Sequence, residues 1–169
     1  MNICLEIDGV LYKSWEEAVY QEYSELRGYE GTFKKFWEEF DSMSDDEKSN
    51  CRQTPLYYNK FIPYKPIIDM LIELAKDNEI SYITSRDRSL YDATVRYLAR
   101  NKFPNPEFVY HSDDFSYTTR VNEIDYLLVS NDQELVDRIN KSFTAVAVSI
   151  TVENKTLDVL ERIYASIGK

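Results

Sequence analysis

"CLEIDGVLY", residues 4–12, decides how this chain is read. An apolar, strand-like start runs into two carboxylates one residue apart, Glu6 and Asp8, and then into Gly9. In a strand, residues i and i+2 point to the same side, and where the strand frays into a loop both side chains can converge on one pocket. The rest of the sequence has to say what surrounds that pocket.

Outward from this stretch the pattern alternates. "NICLEI" (2–7), "ISYIT" (80–84), "EFVYH" (107–111), "DYLLVS" (125–130) and "TAVAVSI" (144–150) read as short apolar strands. Between and after them, "PIIDMLIELAKDN", "SLYDATVRYLARNK", "QELVDRINK" and "KTLDVLERIYASI" carry apolar residues at helical spacing, with Pro66 suited to a first turn. Strands alternating with crossover helices predict an α/β fold with a parallel sheet, whose site lies at the carboxyl ends of the strands.

The alternation breaks once, between Leu11 and Pro63. "SWEEAVYQEYSELRG" opens with a Ser14–Glu17 capping box and stops at Gly28; "TFKKFWEEFDSM" reads as a second helix; "SDDEKSNCRQ" opens a third with a Ser44–Glu47 box. Helices inserted directly after the first strand would stand over the sheet's carboxyl edge as a lid. Trp15, Tyr20 and Tyr23 fall on or beside the first helix's apolar face, where packing within the lid is the expected role.

Bulk properties bound the function. With 169 residues and 43% hydrophobic content, the chain supports one well-cored domain with a small insertion. A net charge of −10, dispersed along the sequence, argues against direct nucleic-acid binding and against an anionic membrane surface. No apolar run reaches the roughly 18–20 residues of a membrane span, and no leader is evident, so a cytoplasmic location is expected. Two cysteines, Cys4 and Cys51, are too few for a disulfide framework and are expected to be reduced.

An acid-x-Asp-Gly-Val-Leu strand end, a helical insertion, a strand ending in "ITSR" and a later strand ending in "VSND" together resemble the haloacid dehalogenase (HAD) superfamily of phosphohydrolases. The insertion looks like a C1-type cap, and the "YITSR" form is similar to that of 5'-(deoxy)nucleotidase-like members. The resemblance implies a Rossmann-like sheet of five parallel strands in the order 5-4-1-2-3, a core made of residues 1–11 and 63–169, and a helical cap over 12–62. It also implies Mg²⁺ and a small phosphorylated substrate, with a nucleoside monophosphate as one candidate.

Carried over residue by residue, the resemblance assigns the general acid/base to Asp8, the second-motif hydroxyl to Thr84, and phosphate contacts to Gly9, Thr84, Ser85 and Arg86. The third-motif cation falls to Arg120, the one cation between the third and fourth strands. Metal ligands fall to Glu6, Asp8, Asn131 and Asp132. In this chemistry the first carboxylate attacks phosphorus and the second protonates the leaving oxygen and then activates water. Here the nucleophile's position is held by Glu6 in place of Asp. One extra methylene displaces the carboxylate, and a misplacement of about 1 Å costs roughly a hundredfold in such a step. Reduced activity is therefore expected. The alternative is a catalytically impaired HAD-like protein that keeps the pocket as a binding or regulatory module, with a protein partner. His111, the sole histidine, is expected to be exposed at a strand end with no catalytic role.

Overall fold

A computed structural model describes residues 1–8, 10–11, 20, 23–25, 27–52, 63, 65–112, 126–130, 133–142, 146–150 and 156–167. The first strand, β1 (Asn2–Glu6), carries Ile3, Cys4 and Leu5, each fully buried. A continuous apolar run of this kind belongs to a parallel strand covered on both faces, where alternation would mark a half-exposed one. The second, β2 (Glu79–Thr84), is buried from Ile80 to its end. With β3 (Val109–His111), β4 (Tyr126–Ser130) and β5 (Val146–Ile150) they pair in the order β3-β2-β1-β4-β5, every pairing parallel. The class is mixed α/β.

Register is what brings the strand ends together. β1 and β2 run side by side from Asn2 opposite Glu79 to Glu6 opposite Ile83, and the Ile7 N–H extends the ladder by donating to the Ile83 carbonyl at 2.9 Å. On the other side of β2, Thr84 stands opposite His111. Glu6, Thr84 and His111 therefore end three adjacent strands on one edge. β3 begins two residues later than its apolar pattern suggests. Around Pro104, Asn105 and Pro106 the chain turns, Asn105 adopts φ 50°, and the Phe108 N–H is drawn back to the Asn105 carbonyl.

Helices cover the sheet. One, designated αA (Lys65–Leu74), begins beside Pro66 and turns Ile67, Leu71 and Leu74 inward; it packs against the last, designated αB (Thr156–Ile167), which buries Thr156, Val159, Leu160 and Ile163. Gln133–Ser142 packs on β5, and Tyr91–Arg100 buries Thr94, Tyr97 and Leu98. Cys4 is buried and forms no disulfide.

Between β1 and αA the chain is built from caps and rings. The described residues between 20 and 27 are helical, Gly28 takes φ 62°, and the Tyr29 N–H donates back to the Ser24 carbonyl at 3.1 Å, the left-handed glycine stop that ends many helices. Thr32 caps Phe33–Ser42 by accepting from the Lys35 N–H. At the next helix, Asp45–Arg52, Glu47 accepts from the Ser44 N–H and hydroxyl while its own N–H donates to the Ser44 hydroxyl. That is the reciprocal box expected there; the Ser14–Glu17 box and Trp15 lie outside the described residues. Tyr20, Tyr23 and Tyr29 meet Phe36 with ring centroids 5.6, 5.2 and 5.7 Å away. Phe36 and Phe40 are buried in the same continuous apolar cluster as the strands.

Candidate functional site

Immediately after β1 the chain makes a tight turn, with the Leu11 N–H donating to the Ile7 carbonyl at 3.2 Å. The Thr156 hydroxyl donates to the Val10 carbonyl at 2.7 Å, pinning this turn to the start of αB. Asp8 is thereby held at the carboxyl edge, two residues beyond Glu6.

Asp8 meets Arg86 head on. Nε of Arg86 donates to one carboxylate oxygen at 2.8 Å and Nη2 to the other at 2.6 Å, a bidentate fork, while Nη1 donates to the Thr94 hydroxyl at 3.1 Å. The Arg86 side chain is 2% exposed and that of Asp8 36%. A guanidinium taken out of water needs this pairing: the two parallel charge-assisted bonds offset its desolvation, and removing the carboxylate would leave a buried charge uncompensated.

The loop bearing Arg86 is fixed from three directions. The Thr84 hydroxyl, buried at the end of β2, accepts from the Arg86 N–H at 3.1 Å. A hydroxyl that accepts there still has an O–H to donate. His111 Nε2 lies 2.7 Å from the Arg86 carbonyl, and since a carbonyl only accepts, Nε2 carries the proton. The Ser112 N–H donates to the Thr84 carbonyl at 2.9 Å. Asp87 caps the short 3₁₀ turn Arg88–Leu90 by accepting from the Ser89 N–H at 2.8 Å and hydroxyl at 2.6 Å. The Ser89 hydroxyl first, and its N–H second, hold the Asp87 carboxyl below the usual carboxylate range.

Of the residues singled out in the sequence, Glu6, Asp8, Thr84 and Arg86 gather at the ends of β1 and β2. Glu6 is half-buried, and Ser85 is exposed on the loop. Gly9, Arg120, Asn131 and Asp132 lie outside the described residues. The guanidinium of Arg86, assigned to phosphate by resemblance, is bound here to Asp8 and Thr94. His111 is half-buried and bonded, not the solvent-exposed strand end expected of it. The expectation failed because it considered one strand alone: in a parallel sheet β3 ends level with β2, which places His111 beside Thr84. Thr94 carried no comparable signal.

Among the described residues no three His, Cys, Asp or Glu side chains come together as a metal cluster. Glu6 and Asp8 are nevertheless hard oxygen donors of the kind magnesium takes, and such sites often use one or two protein carboxylates with water and phosphate oxygens completing the shell. The Asp8 oxygens that accept from Arg86 keep further lone pairs, so within the described part Glu6 and Asp8 are the side chains that would hold the ion.

No protein-family model matches the chain, and no curated protein matches it in sequence. Solved structures do. A haloacid dehalogenase-like family hydrolase from Streptococcus pneumoniae superposes with a TM-score of 0.58 at 14% identity, covering 98% of this chain and 97% of that one. A hydrolase from Pseudomonas syringae gives 0.51 at 12% identity, with 97% and 98% covered. The class C acid phosphatase from Bacillus anthracis gives 0.50 at 16% identity, and the match takes in 92% of this chain but 66% of the Bacillus protein. The chain has the fold of HAD-like hydrolases. At these identities the likeness is one of fold.

Proposed function

We propose that this chain is a HAD-type phosphohydrolase acting on a small phosphate monoester. The observation that carries the reading is the convergence of Glu6, Asp8 and Thr84 at the ends of two strands paired in register, with Asp8 oriented by a buried arginine. In this reading a Glu6 oxygen attacks phosphorus and the ester P–O bond breaks. The leaving oxygen takes a proton from Asp8, which then removes a proton from the water that hydrolyses the glutamyl phosphate. The Thr84 hydroxyl donates to a phosphoryl oxygen as negative charge builds there. Arg120 is the proposed cation on the phosphoryl group; Gly9 and Ser85 complete the phosphate cradle. Magnesium, held by Glu6 and Asp8 with Asn131 and Asp132, would offset the repulsion between carboxylates and phosphate. Residues 12–62 form the cap over a core of 1–11 and 63–169, and a nucleoside monophosphate is the first substrate to try.

The test is hydrolysis of an aryl phosphate and a nucleoside monophosphate panel with Mg²⁺ by wild type, Glu6→Asp and Glu6→Asp/Asp8→Asn, each checked for folding by circular dichroism. Shortening the side chain restores the usual carboxylate length, so Glu6→Asp raises the rate by roughly tenfold or more, and the double variant loses the gain. A wild type faster than Glu6→Asp would mean a site built around the longer side chain. Inactivity of all three folded proteins would favour the second reading, a binding module. That reading is supported by Glu6 in the nucleophile's place and by the engagement of both Asp8 oxygens.

A further inference from the structure

Thr94 has no part in the chemistry proposed above, yet it touches the arginine that orients Asp8. It lies in the helix Tyr91–Arg100, on the face that carries Tyr97 and Leu98, with Leu90 one turn before it; all four are buried. Leu90, Tyr97 and Leu98 belong to the apolar cluster of the sheet, so this face is anchored in the core. The helical spacing calls for an apolar residue at position 94. Threonine has the shape of valine but adds a hydroxyl, which costs free energy when buried unless it is bonded. Here it accepts from Arg86 Nη1 at 3.1 Å.

A guanidinium is a flat plate with N–H groups on more than one side. The Nε–Nη2 edge of Arg86 faces Asp8, and Nη1 lies across the plate from that edge. Two bonds along one edge let the plate rock against the carboxylate; a third from the other side stops it. The backbone of Arg86 is already fixed, its N–H by the Thr84 hydroxyl and its carbonyl by His111, so the head group is the part left to be placed. It has somewhere else to go. A cavity of about 300 Å³ adjoins it, with Thr84, Arg86, Asp87, Arg88, Thr94 and Val109 in its wall.

We propose that Thr94 is a positioning residue: its hydroxyl holds the Arg86 guanidinium edge-on to Asp8 and out of the adjoining cavity, and so sets where the Asp8 oxygens stand when a proton is passed. The consequence for hydrolysis rests on the phosphohydrolase reading; the hold on Arg86 does not.

Two substitutions separate the hydroxyl from the shape. Thr94→Val keeps the volume and loses the acceptor, whereas Thr94→Ser keeps the acceptor and loses a buried methyl. A role in packing alone makes Thr94→Ser the more harmful change; the proposed role makes Thr94→Val so. Thr94→Ala differs from Thr94→Ser by the hydroxyl alone and carries the same comparison where Thr94→Val does not fold. The first arm follows the Arg86 Nε–H by proton–nitrogen NMR without substrate, its signal assigned by its absence from Arg86→Lys. Exchange of this proton with water quickens by about tenfold or more in Thr94→Val and stays near the wild-type rate in Thr94→Ser. The second arm is hydrolysis of an aryl phosphate with Mg²⁺. There kcat falls by about tenfold in Thr94→Val with KM nearly unchanged, and Thr94→Ser keeps most of the wild-type kcat.

A wild-type Nε–H that exchanges as fast as those of exposed arginines, or equally fast in Thr94→Val and wild type, overturns the hold on Arg86 whatever the kinetics show. Faster exchange with kcat unchanged, or with the loss carried by KM, overturns the positioning of Asp8. Faster exchange in Thr94→Val but not in Thr94→Ser, with wild type inactive on the ester, upholds the hold on Arg86 and removes the phosphohydrolase reading.

Discussion

The loops at the ends of β1 and β2 and the helical segment that follows β1 are held by opposite means. At the sheet edge, position is set by directional bonds: Asp8 to Arg86, Arg86 to Thr94, and the Arg86 backbone to Thr84 and His111. Over residues 20–40, it is set by rings that meet edge to face or tilted, with Phe36 at their centre. A bonded network fixes atoms to within tenths of an ångström but fails when one partner is lost; ring packing tolerates exchange of like shapes but not added volume. Under the proposed function that division is a sensible one, since chemistry needs placed atoms and a cap needs only to fill space.

The sharpest way to break the comparison is Asp8→Asn. It deprives the buried Arg86 of its carboxylate, and the resulting loss of stability is about 2–3 kcal/mol, less than for a fully buried pair because Asp8 is itself partly exposed. Urea unfolding measures it. Asp8→Asn/Arg86→Met, which removes the stranded charge as well, recovers at least half of the loss. Under the proposed function, hydrolysis falls by roughly 10²–10⁴-fold in both variants. Equal stability of the two would mean that the ion pair is a surface feature and that Asp8 is held by its turn alone.

The ring-packed segment is tested by adding volume. A Cβ at Gly31 would fall on the hydroxyl and ring of Tyr29, which is itself hemmed in by Tyr20, Tyr23 and Phe36. Gly31→Ala therefore destabilises by about 1–3 kcal/mol, as overpacking does, although φ at this glycine is not in the left-handed region. In a Tyr29→Leu background the same change has a smaller effect, because the group it strikes is gone. Thermal unfolding of the four proteins gives the coupling directly.

How much of this could be read in the sequence differs between the two regions. The strands were legible because both faces of β1 and β2 are buried, which leaves the apolar run Ile3–Leu5 and the mostly apolar Ile80–Ile83, where Ser81 is the one polar residue. The caps at Ser44–Glu47 and Gly28 were legible because each depends on residues within a few positions. The residue types gathered around Asp8 were legible only as a family resemblance, and their bonding was not. The Asp8–Arg86 fork joins residues 78 positions apart, and Thr94 and His111 support the arginine from other elements. Local pattern carries no information about such a partner until strand order is known.

The smallest effect concerns how the cavity-lining loop responds to acid. Asp87 accepts from the Ser89 hydroxyl and N–H, and these two bonds, the hydroxyl's the larger, lower its folded-state pKa. A depressed carboxyl contributes stability that is present above its unfolded value of about 4 and is lost as pH falls through the lowered folded value. The turn Arg88–Leu90 therefore keeps its cap at neutral pH and releases it only in strong acid. Ser89→Ala removes the larger of the two bonds and leaves the N–H in place, so the carboxyl should titrate closer to the ordinary value and the cap should be lost at a higher pH than in wild type. Carbon NMR of the Asp87 carboxyl in the two proteins reads both midpoints. An unchanged midpoint would mean that the backbone N–H alone sets the cap, and that this part of the bonded region, like the ring-packed one, tolerates the loss of a side-chain partner.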